Sequence, residues 1–141
     1  MITLKDWKVE GLKSSLQNSY KFPFENLEVW HKSMSLAKIV YELTKDFPKS
    51  ELYGLSSQLQ RAVVSIPSNI AEGSVRFSTK EQSRFYEVAY GSLMETLSQL
   101  ILAENLNYIN KEQLEEIRQE IGSTSRMLNA LAKSVSERSE W

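Results

Sequence analysis

Apolar residues recur at alternating intervals of three and four along two long stretches of the chain, which limits the folds open to it. Residues three and four apart share one face of a helix, so each stretch can bury a continuous stripe against neighbouring helices. No stretch alternates apolar and polar residues as a half-buried strand does. We therefore predict an all-α fold. The two stripes are Leu52, Leu55, Leu59, Ala62, Ile66, Ile70 and Gly73, and Leu114, Ile117, Ile121, Thr124, Leu128, Leu131 and Val135.

Residues that cap helices indicate where the helices begin and end. The first helical pattern covers about residues 26–47 and ends at Pro48, because proline disfavours helix in the residue before it. Side chains that can accept a backbone hydrogen bond precede the other three patterns. These N-caps are Ser50, Ser78 and Asn110. Glu81 follows Ser78 at the spacing of a capping box, in which each side chain bonds the backbone amide of the other residue.

Short connections between four long helices predict an up-down-up-down four-helix bundle. We place the bundle at residues 23–138, preceded by an N-terminal extension at residues 1–22. The first helix is apolar over a wider arc than a two-helix contact needs, and this predicts neighbours on two sides. A plain bundle supplies two neighbours. The arc consists of one stripe with Leu27, Trp30, Met34, Ala37 and Tyr41 and a second with Leu36, Val40, Leu43 and Phe47.

The composition indicates a soluble protein with no overall attraction for nucleic acid. Seventeen Lys and Arg against eighteen Asp and Glu leave a net charge of −1, so nucleic-acid binding requires a local basic patch. Without cysteine there is neither a disulfide framework nor a thiolate metal site. The apolar runs are too short to cross a bilayer, and the N-terminus is charged where a signal peptide needs an apolar core. We expect a cytoplasmic location and no membrane contact.

Pro67 lies inside the second helical pattern although it has no amide hydrogen for the helix. We predict a kink there that leaves the Val63 carbonyl without its usual donor. A polar stripe lies opposite the apolar one. It comprises Arg61, Ser65, Ser68, Glu72 and Arg76, with Asn69 at its edge. Either these side chains satisfy backbone groups near the kink and Glu72 pairs with Arg76, or the stripe contacts a ligand or another subunit.

Three segments resemble a known family. They are FENLEVW at residues 24–30, FP at 47–48 and QLQRAVVSIPSNIAEG at 58–73. With further agreement in GSLMET and MLNAL, the likeness covers about residues 24–135. In these segments the chain is similar to the four-helix-bundle proteins first noticed as reading frames in intervening sequences of bacterial 23S ribosomal RNA genes.

This resemblance implies an up-down four-helix bundle that assembles as a ring-shaped homopentamer and has no established enzymatic activity. It also implies kinship with the accessory variability proteins of diversity-generating retroelements, which are basic pentamers that bind a reverse transcriptase and RNA. The chain departs from the family where other members carry a basic pair after Gln60 and a Gly-Arg-rich turn. Here Ala62 follows Arg61 and no such turn follows Gly73, so the implied affinity for nucleic acid is lower.

The chain lacks most of the sequence patterns that are typical of catalysis and metal binding. Glu28 and His31 have the Glu-x-x-His spacing of di-iron bundles, but such sites need a second histidine and this chain has one. No nucleophile has an evident activating base, and there is no phosphate-binding glycine loop. We predict no enzymatic activity, no metal and no cofactor.

Basic residues gather around the turn between the second and third helices. Residues 54–86 hold four basic and two acidic residues, whereas residues 101–120 hold two basic and five acidic ones. Cations beside aromatic rings suit nucleic-acid binding, in which the cations contact phosphates and the rings stack on bases. Alternatively, the charged residues only interact with solvent at the start of the third helix. A ring would repeat the patch in every subunit. The basic residues are Arg61, Arg76, Lys80 and Arg84, with Phe77 and Phe85 close by.

Two functions follow from these observations. The first is a non-enzymatic, ring-forming adaptor that binds RNA or an RNA–protein complex, such as a reverse transcriptase and its RNA, through the basic end of the second and third helices. The alternative is a homo-oligomeric, protein-binding scaffold without nucleic-acid binding, in which the separated charges orient subunits or a partner. The acidic balance of the chain favours the scaffold, and the family resemblance favours the adaptor.

Overall fold

The computed structural model describes residues 19–138, and the regular structure in that range is helical. It contains no strand, so the all-α prediction is confirmed. Residues 1–18, most of the predicted N-terminal extension, lie outside the described residues. The four helices are α1 (Glu28–Thr44), α2 (Leu55–Ser74), α3 (Thr79–Asn105) and α4 (Lys111–Arg138), and two short 3₁₀ turns cover Pro23–Asn26 and Lys49–Glu51.

Each helix packs against two others, so the four enclose one core. Both α1 and α3 contact α2 and α4. An ion pair between Lys32 Nζ and Glu120 Oε2, 2.8 Å apart, joins α1 to α4. The bundle itself therefore supplies the two neighbours predicted for the first helix. Two members of its first stripe, Met34 and Tyr41, nevertheless stay exposed.

The two predicted apolar stripes form the centre of the core. Fully burying an Ile or Leu side chain contributes about 1.5–3 kcal/mol, so the helices are held together mainly along these stripes. Side chains of α1 and α3 complete the core from the other sides. The largest fully buried side chains are Leu36 and Val40 of α1, Leu59, Val63, Ile66 and Ile70 of α2, Leu93 and Leu100 of α3, and Ile117, Ile121, Leu128 and Val135 of α4.

The start of the second helix was predicted wrongly. Periodicity places it after Ser50, whereas α2 begins at Leu55 with Gly54 as its N-cap. Leu52, which the stripe would bury, lies in the connection and is 59% exposed. Apolar spacing continues through this connection and so cannot show where the chain turns. For the same reason α1 ends at Thr44 rather than near residue 47.

Two predicted N-caps are confirmed. Ser78 Oγ accepts a hydrogen bond from the Glu81 amide at 3.1 Å, but the Glu81 carboxylate lies 3.9 Å from Arg84 instead of bonding back to Ser78. Asn110 Oδ1 accepts from the Gln113 amide at 2.7 Å, and Gln113 Oε1 accepts from the Asn110 amide at 2.9 Å. This second pair is a complete capping box, whose Gln113 partner the sequence reading missed.

At Gly73, α2 lies too close to α3 for a side chain to fit. A Cβ there would lie 2.7 Å from Tyr86 Cε1 and 3.0 Å from Phe85 Cβ. Tyr86 is itself buried, so its ring has little room to move. Gly91 of α3 is the opposite case, because a Cβ there would meet nothing within 4 Å. Packing therefore requires the first glycine and not the second.

Replacing Gly73 by Ala should lower the free energy of unfolding by about 1–3 kcal/mol, the usual cost of overpacking. Gly91→Ala is the matched control. It should raise that free energy by about 1 kcal/mol, because alanine is the better helix former and has room. Urea-induced unfolding followed by circular dichroism measures both. A Gly73→Ala variant as stable as the native chain would contradict the steric argument.

Candidate nucleic-acid interface

The turn between α2 and α3 presents an aromatic ring to solvent. At the end of α2 the Val75 amide donates to the Glu72 and Gly73 carbonyls, and at the start of α3 the extended Ser78 caps the helix. These caps fix the turn from both sides. Between them, the side chain of Phe77 is fully exposed.

Arg76, which precedes Phe77 in the chain, is held in place by two contacts. Its Nη2 lies 3.6 Å from Glu72 Oε2, and its guanidinium carbon lies 4.6 Å from the centre of the Phe85 ring, a cation–π contact. An exposed ion pair of this kind contributes about 0–1 kcal/mol. A phosphate can therefore compete with the carboxylate for the guanidinium.

Lys80 and Arg84 lie one turn apart on α3 and share a face. Together with Glu87 and with Ser136 of α4, they line an open groove of ≈ 520 Å³. Arg84 Nη1 is 3.9 Å from Glu81 Oε2. Lys80 forms no ion pair within the part of the chain that the structure describes. The most available cation of the cluster is therefore Lys80.

The end of α4 also borders this site, which the sequence reading missed. Ser136 lines the groove, and Arg138 lies close enough to Tyr86 to affect its ionisation. Burial raises the pKa of Tyr86, and the nearby Arg138 guanidinium partly offsets that rise. In an up-down bundle the last helix ends beside the turn between the second and third. The predicted topology thus already contained the information needed to find Arg138.

Arg61 does not belong to the cluster. It precedes Ser74, the last residue of α2, by 13 positions, which is roughly 20 Å of helix at 1.5 Å per residue. Its side chain is exposed and forms no ion pair with any described residue. The structure therefore brings together Arg76, Lys80 and Arg84 and leaves Arg61 towards the other end of the bundle.

Comparison with known proteins identifies the family of this bundle. The family model described as 23S rRNA-intervening sequence protein matches residues 25–130. The chain belongs to this family. A similar solved structure is that of a protein of unknown function from the S23 ribosomal protein family of Bacteroides thetaiotaomicron. It is 27% identical, superposes with a TM-score of 0.66, and the match covers 74% of this chain and 98% of that chain. No curated protein matches the chain.

In the folded chain the polar stripe of α2 divides into two parts. Ser65 and Asn69 face α3. Ser65 Oγ lies 2.8 Å from Ser92 Oγ, and Asn69 Nδ2 donates to the carbonyl and hydroxyl oxygens of Ser65 at 2.7 and 2.9 Å. Ser68 and Glu72, in contrast, are exposed. The first part is internal packing, and only the second is accessible to a partner.

Local bonding accounts for much of this stripe. Pro67 is buried, and α2 continues through it from Leu55 to Ser74. The bond from Asn69 to a backbone carbonyl and the pair between Glu72 and Arg76 are the contacts that the local explanation predicts. A kink at Pro67 and a partner contact at Ser68 stay predictions.

The remaining patterns of the intervening-sequence protein have structural explanations. His31 Nε2 lies 2.6 Å from the Glu25 carbonyl oxygen, so the ring bonds the backbone near the start of α1. Within residues 19–138 no three His, Cys, Asp or Glu side chains are grouped so as to hold a metal ion. None of the helices in that range is both long and apolar enough to span a membrane.

Pro67→Ala should raise the free energy of unfolding by about 1 kcal/mol. Alanine avoids a helix-interior penalty of about 3 kcal/mol, while the loss of two buried methylenes costs about 1.6 kcal/mol. Pro48→Ala, at an exposed proline outside the α-helices, is the control and should lower it by about 0.4–1 kcal/mol. Urea-induced unfolding of the native chain and both variants, at one protein concentration, measures these free energies. A lower midpoint for Pro67→Ala would mean that the buried ring matters more than the missing hydrogen bond.

Proposed function

We propose that this chain is a non-enzymatic adaptor that assembles into a ring and binds RNA, alone or together with a protein such as a reverse transcriptase, through the α2–α3 turn. The observation that carries the proposal is Phe77, whose fully exposed ring follows Arg76 on a turn fixed by helix caps, with Lys80 close by. Fixed cations beside an uncovered aromatic ring suit phosphates next to unstacked bases. Membership in a family described by 23S rRNA intervening sequences agrees with an RNA ligand.

One copy of the chain offers few contacts to RNA. Arg76, Lys80, Arg84 and Arg138 are set against Glu72, Glu81 and Glu87, so the site has a small excess of positive charge. A base stacked on an aromatic ring adds about 1–3 kcal/mol. Each phosphate contact releases counterions, and linked copies bind the same strand with a raised effective concentration. Assembly is therefore part of the proposal.

Two exposed apolar side chains support self-assembly. Met34 and Tyr41 belong to the apolar arc of α1 but stay 39% and 42% exposed in the described chain. A second subunit covers such a surface more readily than water does, because burial of apolar area is favourable. We propose a homopentamer, the assembly that the sequence resemblance implies.

A homo-oligomeric scaffold for proteins is the second candidate. It is favoured by the pairing of Arg76 and Arg84 with glutamates and by the net charge of −1. Such a scaffold assembles in the same way but has no affinity for RNA. A measurement of RNA binding therefore distinguishes the two candidates.

The first test is the mass of the protein in solution. Light scattering coupled to gel filtration should give about five times the 16.2 kDa of one chain, and the mass should not fall on moderate dilution. A mass near that of one chain would contradict both candidates, because each requires self-assembly.

The second test is filter binding of a structured RNA. The native chain should bind weakly, and raising the salt from about 50 to about 200 mM should reduce affinity about tenfold or more for two or three phosphate contacts. The triple variant Arg76→Glu, Lys80→Glu, Arg84→Glu should lose binding while still assembling. Phe77→Ala should weaken binding by about tenfold through loss of stacking.

A control variant with the same charge change separates the turn from general electrostatics. Lys111→Glu, Arg118→Glu and Arg126→Glu replace three exposed cations of α4. Because that variant retains the turn, it should keep most of the RNA affinity. Equal loss in both triple variants, or no binding by the native chain at low salt, would favour the protein scaffold.

A further inference from the structure

The connection between α1 and α2 exposes two large apolar side chains on a hydrogen-bonded turn. Leu52 is 59% and Tyr53 94% exposed. The Leu52 amide donates to the Lys49 carbonyl at 3.1 Å, and the Gly54 amide to the Glu51 carbonyl at 3.0 Å, so the backbone holds its shape. We refer to Leu52 and Tyr53 as the apolar knob. Adjacent exposed apolar side chains on a fixed turn are typical of an interaction surface, and tyrosine often dominates such contacts.

Positive charge lies on one side of the apolar knob. Leu52 borders a largely apolar groove of ≈ 540 Å³ whose lining also includes Lys45 and Lys49. Lys45 Nζ is 2.8 Å from Glu42 Oε1. Lys49 forms no ion pair within residues 19–138. A partner that covers the knob therefore meets at least one unpaired cation beside it.

The acidic residues of the connection do not cancel this charge. The Glu51 carboxylate lies near the Tyr108 hydroxyl, since burial raises the pKa of Tyr108 and the negative charge of Glu51 adds to that rise. Glu51 is thus turned towards the bundle. Asp46, the other acidic residue here, is exposed but lies outside the lining of the groove beside the knob.

A second groove, between α1 and α4, combines apolar and acidic residues and so complements the apolar knob and its neighbouring lysines. It encloses ≈ 430 Å³, and its lining includes the apolar residues Ile39, Leu43 and Ile117 and the acidic residues Glu116 and Glu120. We refer to it as the acidic groove. Its apolar area is exposed in a single chain, and its carboxylates suit a partner that brings an apolar side chain and a cation together.

The unpaired charge of the acidic groove belongs to α4. Glu120 is neutralised by Lys32 at 2.8 Å. Glu116 and, one turn earlier, Glu112 are exposed and form no ion pair with a described residue. The groove therefore attracts the same kind of charge that Lys49 carries beside the apolar knob.

The knob and the groove lie at the same end of the bundle, where α1 ends and α4 begins. A contact between two different surfaces of one chain is heterologous, and it gives a closed ring or an open filament according to the offset between copies. Because both surfaces lie towards the same end, copies with parallel axes can dock side by side. Docking the knob region on its own copy would instead place Lys45 and Lys49 against themselves.

We propose that the apolar knob of one copy of this chain inserts into the acidic groove of a second copy, with Lys49 facing Glu116. This inference rests on the self-assembly put forward under the proposed function and assigns the contact that produces it. Leu52 and Tyr53 lose water against Ile39, Leu43 and Ile117, and the paired charges select the head-to-tail orientation.

Tyr53→Asp in the full-length chain tests the apolar part of the contact. It should weaken self-association by about thirtyfold or more, as loss of a central aromatic side chain does. Leu102→Asp, at an α3 position that is 46% exposed, is the matched control and should assemble like the native chain. Circular dichroism confirms folding of both variants. Native assembly by Tyr53→Asp would overturn the proposed contact.

Charge reversal tests the orientation in a way that loss of folding cannot imitate. Lys45→Glu with Lys49→Glu, and separately Glu112→Lys with Glu116→Lys, should each reduce the mass measured by light scattering. A chain carrying all four substitutions should assemble again, because both surfaces have exchanged sign. Failure of the fourfold variant to recover, while it stays folded, would overturn the proposed pairing.

Two other results are distinguishable from these. If replacing two apolar residues of the N-terminal extension (Leu12→Asp with Leu16→Asp) abolishes assembly while Tyr53→Asp does not, assembly depends on the extension and the knob proposal is wrong. If the native chain is monomeric, both the proposed self-assembly and the proposed knob contact are wrong. If the native chain assembles and every knob and groove variant does too, the assignment of this contact alone fails.

Discussion

Because Gly73 has no side chain, α2 reaches the ring of Tyr86 on α3, and the rest of the candidate site depends on that approach. The same close contact leaves Phe85 beside the end of α2, where its ring forms a cation–π contact with the guanidinium of Arg76. The turn that follows is short and capped at both ends, so Phe77 projects into solvent. A larger residue at position 73 would separate the helices and move the cations with them.

The parts of the fold that follow from local chemistry were predictable from sequence. Apolar spacing identified the buried stripes of α2 and α4, and the short polar side chains of Ser78 and Asn110 marked two helix starts. The α1–α2 connection was not predictable in this way, because Leu52 continues the spacing although the chain has already left the helix. Gly54, which precedes the true start of α2, was the available clue.

The candidate site was predictable only in part, since sequence gives the angle of a residue around a helix more readily than its neighbours in space. Arg76, Lys80 and Arg84 are close in sequence and remain close in the fold. Arg61 shares their charge but lies roughly 20 Å away along α2. Arg138 is distant in sequence and reaches the site from the end of α4, which the up-down topology places beside the α2–α3 turn.

The candidate surfaces lie at opposite ends of the bundle, and this separation links assembly to binding. The apolar knob precedes α2 and the turn proposed to bind RNA follows it, so about 30 Å of helix lies between them. In a ring closed by the knob and the acidic groove, no subunit contact covers Phe77 or Lys80. Copies related by rotation also place their turns on the same face of the ring. The proposed contact at one end would thereby join several separate patches at the other end into one surface, on which a single RNA strand would meet more than one subunit at once.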